Sequence, residues 1–412
     1  MSDTSGVRGV VILGSTGSIG EQAMDVIGRN RGRYRVLALG AGGANIELLA
    51  RQAREFAVPI VAIADSSRAD ELSAMLKGTG IQVIAGADAM SDLASGVGQD
   101  RAEDPQATVV LNGITGSVGL RPTLAALASG ATLALANKES LVVGGGLILD
   151  AMVRPGQIVP VDSEHSAIMQ SLRSGIHHRG LCSQEQDGES EVRRLILTAS
   201  GGPFRGRHRC ELADVTPADA LNHPTWDMGP VVTINSSTLM NKGLELIEAA
   251  YLFDIAPDDI VPVVHPQSII HSMVEFKDGA TIAQASPPDM RLPIALGLSW
   301  PERLDAVSSP NAWDSPLSWS FEPLDHETFP AVSLARQAVS SSPLHPTVLN
   351  AANEECVAAF LTGQLPYLGI TDTVSEILSE FTAPSGNLDL ETVLGTEKWA
   401  RVRTHEVMAH RA

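Results

Sequence analysis

The 412-residue sequence predicts an α/β protein in three parts: a parallel sheet covered by helices, an α+β segment and a helical bundle. Three observations predict this. Through the first third, short apolar runs ending in small residues alternate with helix-period segments. Beyond about Pro155 the apolar runs end in polar residues, with loops rich in His, Pro and Gly between them. After about residue 325 the pattern is helical to the end.

Taken in order, "GVVILG" reads as a strand and "EQAMDVIGRN" as a helix. "RVLALGAGG" and "NIELLARQAREF" repeat the pair. "PIVAIAD", "ATVVLNG" and "ATLALAN" are further strands, the last counted as the fifth. This βαβ rhythm gives parallel strands joined by crossover helices. "HHRGLCSQEQDGESEVRR" is polar and reads as a surface excursion, while "LILTASGG" and "VVTINSS" read as strands. "SSPNAWDSPLSWSFEPLD", at 308–325, suits an extended connection. In "TVLNAANEECVAAFL", Val348, Ala352, Cys356 and Phe360 recur every four residues, as one apolar helix face requires. The expected boundaries are 1–154, 155–307, a linker at 308–325, and 326–412.

Apolar residues make up 44% and charged ones 19%, as in ordinary folded proteins. The formal net charge is -19, with no basic stripe, which argues against a nucleic-acid partner. An anionic small molecule would need a local cationic pocket. No run approaches the ~18 apolar residues of a membrane span, and the N-terminus lacks an apolar signal core. Cys182, Cys210 and Cys356 are far apart, without paired spacing. A reducing, cytoplasmic setting is expected.

Gly14, Gly17 and Gly20 lie between the first strand and first helix. Glycines let a backbone approach a pyrophosphate, and the helix start supplies N–H donors. This predicts a Rossmann-type dinucleotide site, with a plain tight turn as the alternative. No acid occurs between Asp25 and Glu47, so the carboxylate that usually binds the NAD ribose is missing and NADP is favoured. Arg29, Arg31, Arg33 and Arg35 lie just upstream, but none is assigned; Gly42, Gly43 and Asn45 are better placed for the adenosine end. Asn137, Lys138 and Glu139 follow the fifth expected strand, at the sheet edge where ligands bind, or else simply open a solvated helix.

The stretch "IVPVDSEHSAI" sets Asp162 and Glu164 two apart. On a strand or its extended continuation they share one face. They suit a hard divalent cation such as Mg²⁺ or Mn²⁺, with an exposed acidic loop as the alternative. His165 could hint at zinc, but no second His stands at ligand spacing. "NSSTLMNKGLELIEAAYLF" offers hydroxyls at Ser236, Ser237 and Thr238 at an expected helix start, then Asn241, Lys242 and Glu245 around one turn. Lys242 with these donors suits a phosphate and Glu245 supplies a third acid, with a capped helix bearing an exposed charged face as the alternative. Ser200, Gly201 and Gly202 end another strand, where a hydroxyl suits an anion, with a simple turn as the alternative. His223, Pro224, Trp226, Met228 and Gly229 lie in a loop that suits a lid or a packed Trp. His265, His271 and Met290 lie further on.

The motifs GSTGSIG, LANKESLV, PVDSEHSAI, TASGGPF, HPTWDMG, NSSTLMNKGLE, HPQSIIHSMVEF and SPPDMRLPIALGLSWPER occur in one order. Together they closely resemble the 1-deoxy-D-xylulose 5-phosphate reductoisomerase family, from about residue 8 to 410. The resemblance implies a homodimer that uses NADPH and a divalent metal, Mg²⁺ or Mn²⁺. It implies conversion of 1-deoxy-D-xylulose 5-phosphate to 2-C-methyl-D-erythritol 4-phosphate in isoprenoid precursor synthesis. It implies an NADPH-binding first domain and a catalytic, dimerising second one. It also implies Asp162, Glu164 and Glu245 as metal ligands, with Lys138 beside them as a catalytic residue. Lys138, Ser163 and Asn241 would meet the substrate's oxygenated carbons, next to Glu164 and Glu245. Ser200, Ser236, Asn241 and Lys242 would hold its phosphate, with His223 near and Trp226 on the flap. Thr16, Gly17, Ser18, Ile19, Gly42, Gly43, Asn45, Asn137, Glu139 and Gly229 would hold NADPH. The family's usual Lys or Arg in the second-strand loop is replaced here by small residues. A different NADP-dependent dehydrogenase and a non-catalytic dinucleotide sensor are the competing readings.

Overall fold

The structure, a computed structural model, describes residues 7–99, 101, 104–226 and 228–411. Residues 1–6 and 412 of the expected outer segments lie outside the described residues. The first part runs β1 (Arg8–Leu13), α1 (Ser18–Arg29), β2 (Tyr34–Ala41), α2 (Ile46–Glu55), β3 (Ile60–Ile63), α3 (Ala69–Met75), β4 (Gln82–Ala85), α4 (Ala89–Ser95), β5 (Thr108–Asn112), α5 (Leu120–Ala128), β6 (Thr132–Leu135), α6 (Lys138–Ala151) and β7 (Ile158–Pro160). All seven strands are parallel, in the order β4-β3-β2-β1-β5-β6-β7. The order reverses at β1, and a doubly wound sheet opens its ligand crevice at the carboxyl ends there. Sequence reasoning missed β4. Its half-exposed residues carry none of the continuous apolar signal of the buried β1, β3 and β5. "LALAN" therefore ends the sixth strand, not the fifth. The sheet also takes β7 from beyond residue 154.

The second part comprises α7 (Ser163–Leu172), β8 (Val192–Ala199), α8 (Pro217–Ala220), α9 (Pro230–Ser237), α10 (Met240–Phe253), β9 (Ile260–Val264), β10 (Ile270–Phe276), β11 (Thr281–Ala285), α11 (Arg291–Ser299) and β12 (Glu322–Pro323). Its sheet is mixed, in the order β11-β10-β8-β9-β12. β8 and β9 are parallel, and the other pairs are antiparallel. The 308–325 connection is thus tied down at its end, where β12 pairs with β9. Helices α12 (Ala331–Ser341), α13 (His345–Leu361), α14 (Tyr367–Glu380) and α15 (Leu390–Arg411) form the expected bundle. The four apolar positions of α13 are all buried.

Two expectations need correction. "VVTINSS" is not a strand but α9: Pro230 stands at the first helical turn, where its missing N–H costs nothing. Tertiary packing, with Ile234 fully buried, overrides the β preference of the Val-Val-Thr-Ile run. Asp162 and Glu164 do not share a strand face either. β7 stops at Pro160, Asp162 caps α7, and Glu164 lies in its first turn.

Close backbone approaches fix the site's frame. A Cβ on Gly20 would lie 2.2 Å from the Gly14 carbonyl oxygen, so α1 starts hard against the glycine loop. Three glycines inside α6 each admit a different neighbour: Gly144 meets Leu120, Gly145 the Tyr251 ring of α10, and Gly146 Leu388. Each costs helix propensity by about 1 kcal/mol, offset by helices that pack closer than a side chain allows. Gly20→Ala should lose about 1–3 kcal/mol in denaturant unfolding, through overpacking against fixed backbone. Gly32→Ala, which meets nothing within 4 Å, should stay within about 0.5 kcal/mol.

Candidate active site

Two neighbouring strands of the first sheet end together, because Leu135 of β6 pairs with Pro160 of β7. The chain leaving β6 starts α6 with Asn137 as cap and Lys138 as its first residue. The chain leaving β7 starts α7 with Asp162, Ser163 and Glu164. α10 packs against α6 and presents Asn241, Lys242 and Glu245 to both starts. Segments more than a hundred residues apart thus converge on one point.

There the Lys138 ammonium donates to Asp162 Oδ2 at 2.8 Å and Asn241 Oδ1 at 2.8 Å, and lies 3.5 Å from Glu245 Oε1. Lys242 donates to Glu164 Oε1 at 2.7 Å and also to Glu245 Oε2. Asn241 donates its amide to Glu245 Oε1 at 2.5 Å, and the Ser163 hydroxyl donates to Glu164 Oε2 at 2.5 Å. Asp162, Glu164 and Glu245 each bring a carboxylate oxygen within 4.8 Å of the others. Three oxygen donors, two from the start of α7 and one from the second turn of α10, could form one face of a hard-cation site. The expected ligand set is brought together in full.

The charges explain how such a cluster stays folded. Burial disfavours ionised Asp162, but the Lys138 ammonium, with His165 and Lys242, outweighs it and holds the carboxyl below its usual range. Burial, then repulsion from Glu164 and Asp162, pushes Glu245 up to about 8 despite its lysine partners. Burial also opposes both ammoniums, yet the carboxylates raise Lys138 and Lys242 above their ordinary values. Both lysines therefore stay charged.

His165 is fully buried. Its Nε2 donates to the Glu245 carbonyl at 2.9 Å, pinning α7 to α10. Nδ1, the acceptor in that tautomer, faces Glu248 Oε2 at 3.9 Å and Asp162 Oδ2 at 4.0 Å without a hydrogen bond. Burial pushes the Glu248 carboxyl well above its ordinary value, which favours its protonated form. Sequence reasoning missed Glu248; its signal is the three-residue step from Glu245 along α10. Asp162, His165 and Glu248 form a second group within 4.8 Å, and His178, Asp187 and Glu189 a third, on the surface excursion.

The remaining residues divide into two places. The Ser200 hydroxyl lies 3.1 Å from His223 Nε2 and accepts from the Gly202 N–H. His223 Nδ1 accepts from the backbone of Thr225 and Trp226, so Nε2 carries the proton and donates to Ser200. Burial lowers the His223 pKa, which favours this neutral form. Trp226 packs edge-on to His271, with centroids 6.3 Å apart. The expected hydroxyl trio is sorted by the kink at Leu239: Ser237 and Thr238 donate back to α9 carbonyls, whereas Ser236 does not. The trio therefore ends α9 rather than starting α10. Gly202 lies against the Ser236 carbonyl, bringing Ser200 and Ser236 into one neighbourhood. No hydrogen bond joins Lys242 to either among the described residues. A cavity of about 250 Å³ links Ser163 to His271 between α7 and α11.

At the switch point, Thr16 and Gly17 form the loop entering α1 and Ser18 and Ile19 are its first residues; the Gly17 N–H returns to Gly14 O, and the Ser18 hydroxyl oxygen accepts from Gln22. Gly42 and Gly43 follow β2, and Asn45 caps α2 through its side-chain oxygen. Asn137 is buried, and its amide nitrogen donates to Ile114 O, Gly116 O and Glu139 Oε2. Asn137 therefore shapes the crevice wall rather than reaching into it. Burial, aided by Glu354, raises Glu139. Gly229 is exposed at the start of α9. Arg31 and Arg33 pair with Glu55 and Glu302 at the strands' amino ends, away from this crevice.

A protonated Glu245 must release its proton to serve as a ligand. Apparent Mn²⁺ affinity, measured calorimetrically, should therefore rise with pH, by at most about tenfold per unit. It should level off above the Glu245 value of about 8. Glu245→Gln should abolish the slope; an affinity flat with pH would contradict this charge state.

Comparison with known proteins gives one picture. A family model for 1-deoxy-D-xylulose 5-phosphate reductoisomerase matches residues 10–145, a model for that enzyme's C-terminal domain matches 158–253, and a DXP reductoisomerase C-terminal domain model matches 285–403. The 1-deoxy-D-xylulose 5-phosphate reductoisomerase of Beutenbergia cavernae is 59% identical over 406 residues, covering 98% of each chain. That of Kitasatospora griseola is 54% identical over 97% of this chain and all of its own. The Zymomonas mobilis reductoisomerase, solved with NADPH, superposes with a TM-score of 0.85 at 40% identity, covering 98% of this chain and 99% of that one. A DOX-P reductoisomerase solved with NADPH, fosmidomycin and magnesium gives 0.86 at 33% identity, covering 98% of both.

Proposed function

The chain belongs to the 1-deoxy-D-xylulose 5-phosphate reductoisomerase family, and from that premise we propose how its own residues divide the work. The protein is an NADP-dependent oxidoreductase that uses NADPH and a divalent metal, Mg²⁺ or Mn²⁺. It rearranges and reduces 1-deoxy-D-xylulose 5-phosphate to 2-C-methyl-D-erythritol 4-phosphate, for isoprenoid precursor synthesis. The observation that carries the residue assignment is the meeting of Asp162, Glu164 and Glu245 with Lys138 and Lys242 at one point.

The three carboxylates fit a hard divalent ion: all donors are oxygen, and two ammoniums offset two of their three negative charges. When bound, the ion supplies a Lewis acid that polarises the ketone and steadies developing negative charge beside it. Lys138, fixed between Asp162 and Asn241, donates to the oxygen whose charge changes. Ser163, whose hydroxyl bridges to Glu164, orients a substrate hydroxyl. Ser200, Ser236, Asn241 and Lys242 hold the phosphate, and the flexible Lys242 stem lets its ammonium turn toward that anion. Neutral His223 keeps Ser200 in place and carries the Trp226 turn. Trp226 closes over the sugar and keeps water from the reactive enolate.

For NADPH, Thr16, Gly17, Ser18 and Ile19 take the pyrophosphate at the start of α1. Gly42, Gly43 and Asn45 line the adenosine end. Asn137, Glu139 and Gly229 border the nicotinamide side, and the cofactor supplies the hydride. The NADPH domain occupies 1–154 with β7 added, the catalytic domain 155–307 and the bundle 326–412. A homodimer fits the exposed β11 edge with Ile282, and the exposed Trp313, Leu317 and Phe321 of the 308–325 connection. Among the described residues no helix is long and apolar enough to cross a membrane, consistent with the cytoplasmic setting we propose.

Incubation with the pentulose phosphate, NADPH and Mn²⁺ should consume NADPH and yield the branched methylerythritol phosphate; no consumption would overturn the reading. Asp162→Asn and Glu245→Gln should each cut turnover roughly 100-fold or more, while NADPH affinity stays within about twofold. Sedimentation equilibrium should give twice the chain mass; a monomer would contradict the proposed assembly.

A further inference from the structure

The loop after β2 poses a charge problem. A cofactor with a 2'-phosphate needs a cation at the carboxyl end of the second strand, yet residues 40–46 contain none. The upstream arginines are of no help: Arg31 and Arg33 are paired at the opposite end of the sheet.

The fold brings a guanidinium to the loop from the next strand. β3 runs beside β2 past its formal end: the Ala64 N–H donates to Ala41 O at 3.0 Å and the Asp65 N–H to Gly42 O at 2.9 Å. A short turn at Ser66–Arg68, started by Asp65 accepting from Ser67, then points Arg68 back at the loop. Arg68 Nη1 donates to the Gly43 carbonyl at 3.2 Å, and Nε donates to Glu71 Oε2 at 2.8 Å. Nη2 makes no hydrogen bond among the described residues, and the side chain is 31% exposed. Gly43 permits this approach, because its φ is +127° and a Cβ there would lie 2.8 Å from the Asp65 Cβ.

We propose that Arg68 selects NADPH over NADH, its guanidinium receiving the 2'-phosphate beside Gly42 and Gly43; this rests on the NADPH reading of the first domain. A guanidinium presents donors in a fixed fork that matches phosphate oxygens, and partial exposure leaves it free to exchange Glu71 for a dianion. The surroundings make the selection depend on this one residue. Glu71, Glu47 and Asp65 all act on Arg68. Without Arg68 these three acids stand beside the loop with no guanidinium to offset them. The loop then repels a phosphate and tolerates a ribose hydroxyl.

The test compares wild type, Arg68→Ala and Arg68→Lys by calorimetric titration with NADPH, NADH, adenosine 2',5'-bisphosphate and AMP, beside a thermal melt. In Arg68→Ala, NADPH and the bisphosphate should bind at least about tenfold more weakly, with NADH and AMP within about twofold. Arg68→Lys should fall between, since it keeps the charge without the fork. Unchanged NADPH affinity, or equal loss for NADPH and NADH in a variant that melts normally, overturns the proposal. A wild-type protein that binds neither dinucleotide overturns the cofactor reading instead, and the proposal with it.

Discussion

The site depends on a charge balance that must close inside protein. Three carboxylates within 4.8 Å of one another would repel strongly at low dielectric. Two ammoniums stand among them, Lys138 between Asp162 and Asn241, and Lys242 between Glu164 and Glu245. One proton more, on Glu245, makes the set neutral. The divalent ion we propose would take the place of that proton. Removing either lysine leaves buried carboxylate charge uncompensated.

The fold exists to bring those groups together. Adjacent parallel strands β6 and β7 end side by side, so the starts of α6 and α7 are neighbours. Gly145 lets α10 close onto α6 through Tyr251. His165 ties the Glu245 backbone to α7. The same sheet opens its crevice at β1, several strands away, for the dinucleotide. Hydrogen bonds link Ser200 through His223 to the Trp226 backbone, and the Trp226 ring packs on His271.

Much of this was legible in the chain, for physical reasons. Fully buried parallel strands announce themselves as continuous apolar runs, and β1, β3, β5 and β6 were all visible that way. Asn241 and Glu245 follow from helical period alone, and the family motifs supplied the order of the rest. The misses are instructive. β4 is an edge strand with little buried surface to encode. α9 is written in β-branched residues and becomes a helix through Pro230 and its burial. Asp162 and Glu164 looked like strand partners, but a helix start presents such a pair to one point more effectively, with its N–H groups favouring negative charge. Glu248 follows Glu245 by one helical step along α10 and could have been read that way, whereas Arg68 reaches the loop through space from the neighbouring strand, and no local pattern marks that.

The central claim is that the ion sits between α7 and α10, held by carboxylates from both. Anomalous diffraction from crystals soaked in Mn²⁺ tests it most directly. The account predicts one strong peak in contact with Asp162, Glu164 and Glu245. A peak at His165 and Glu248, or on the His178, Asp187 and Glu189 group, with none at Glu164 and Glu245, would contradict it.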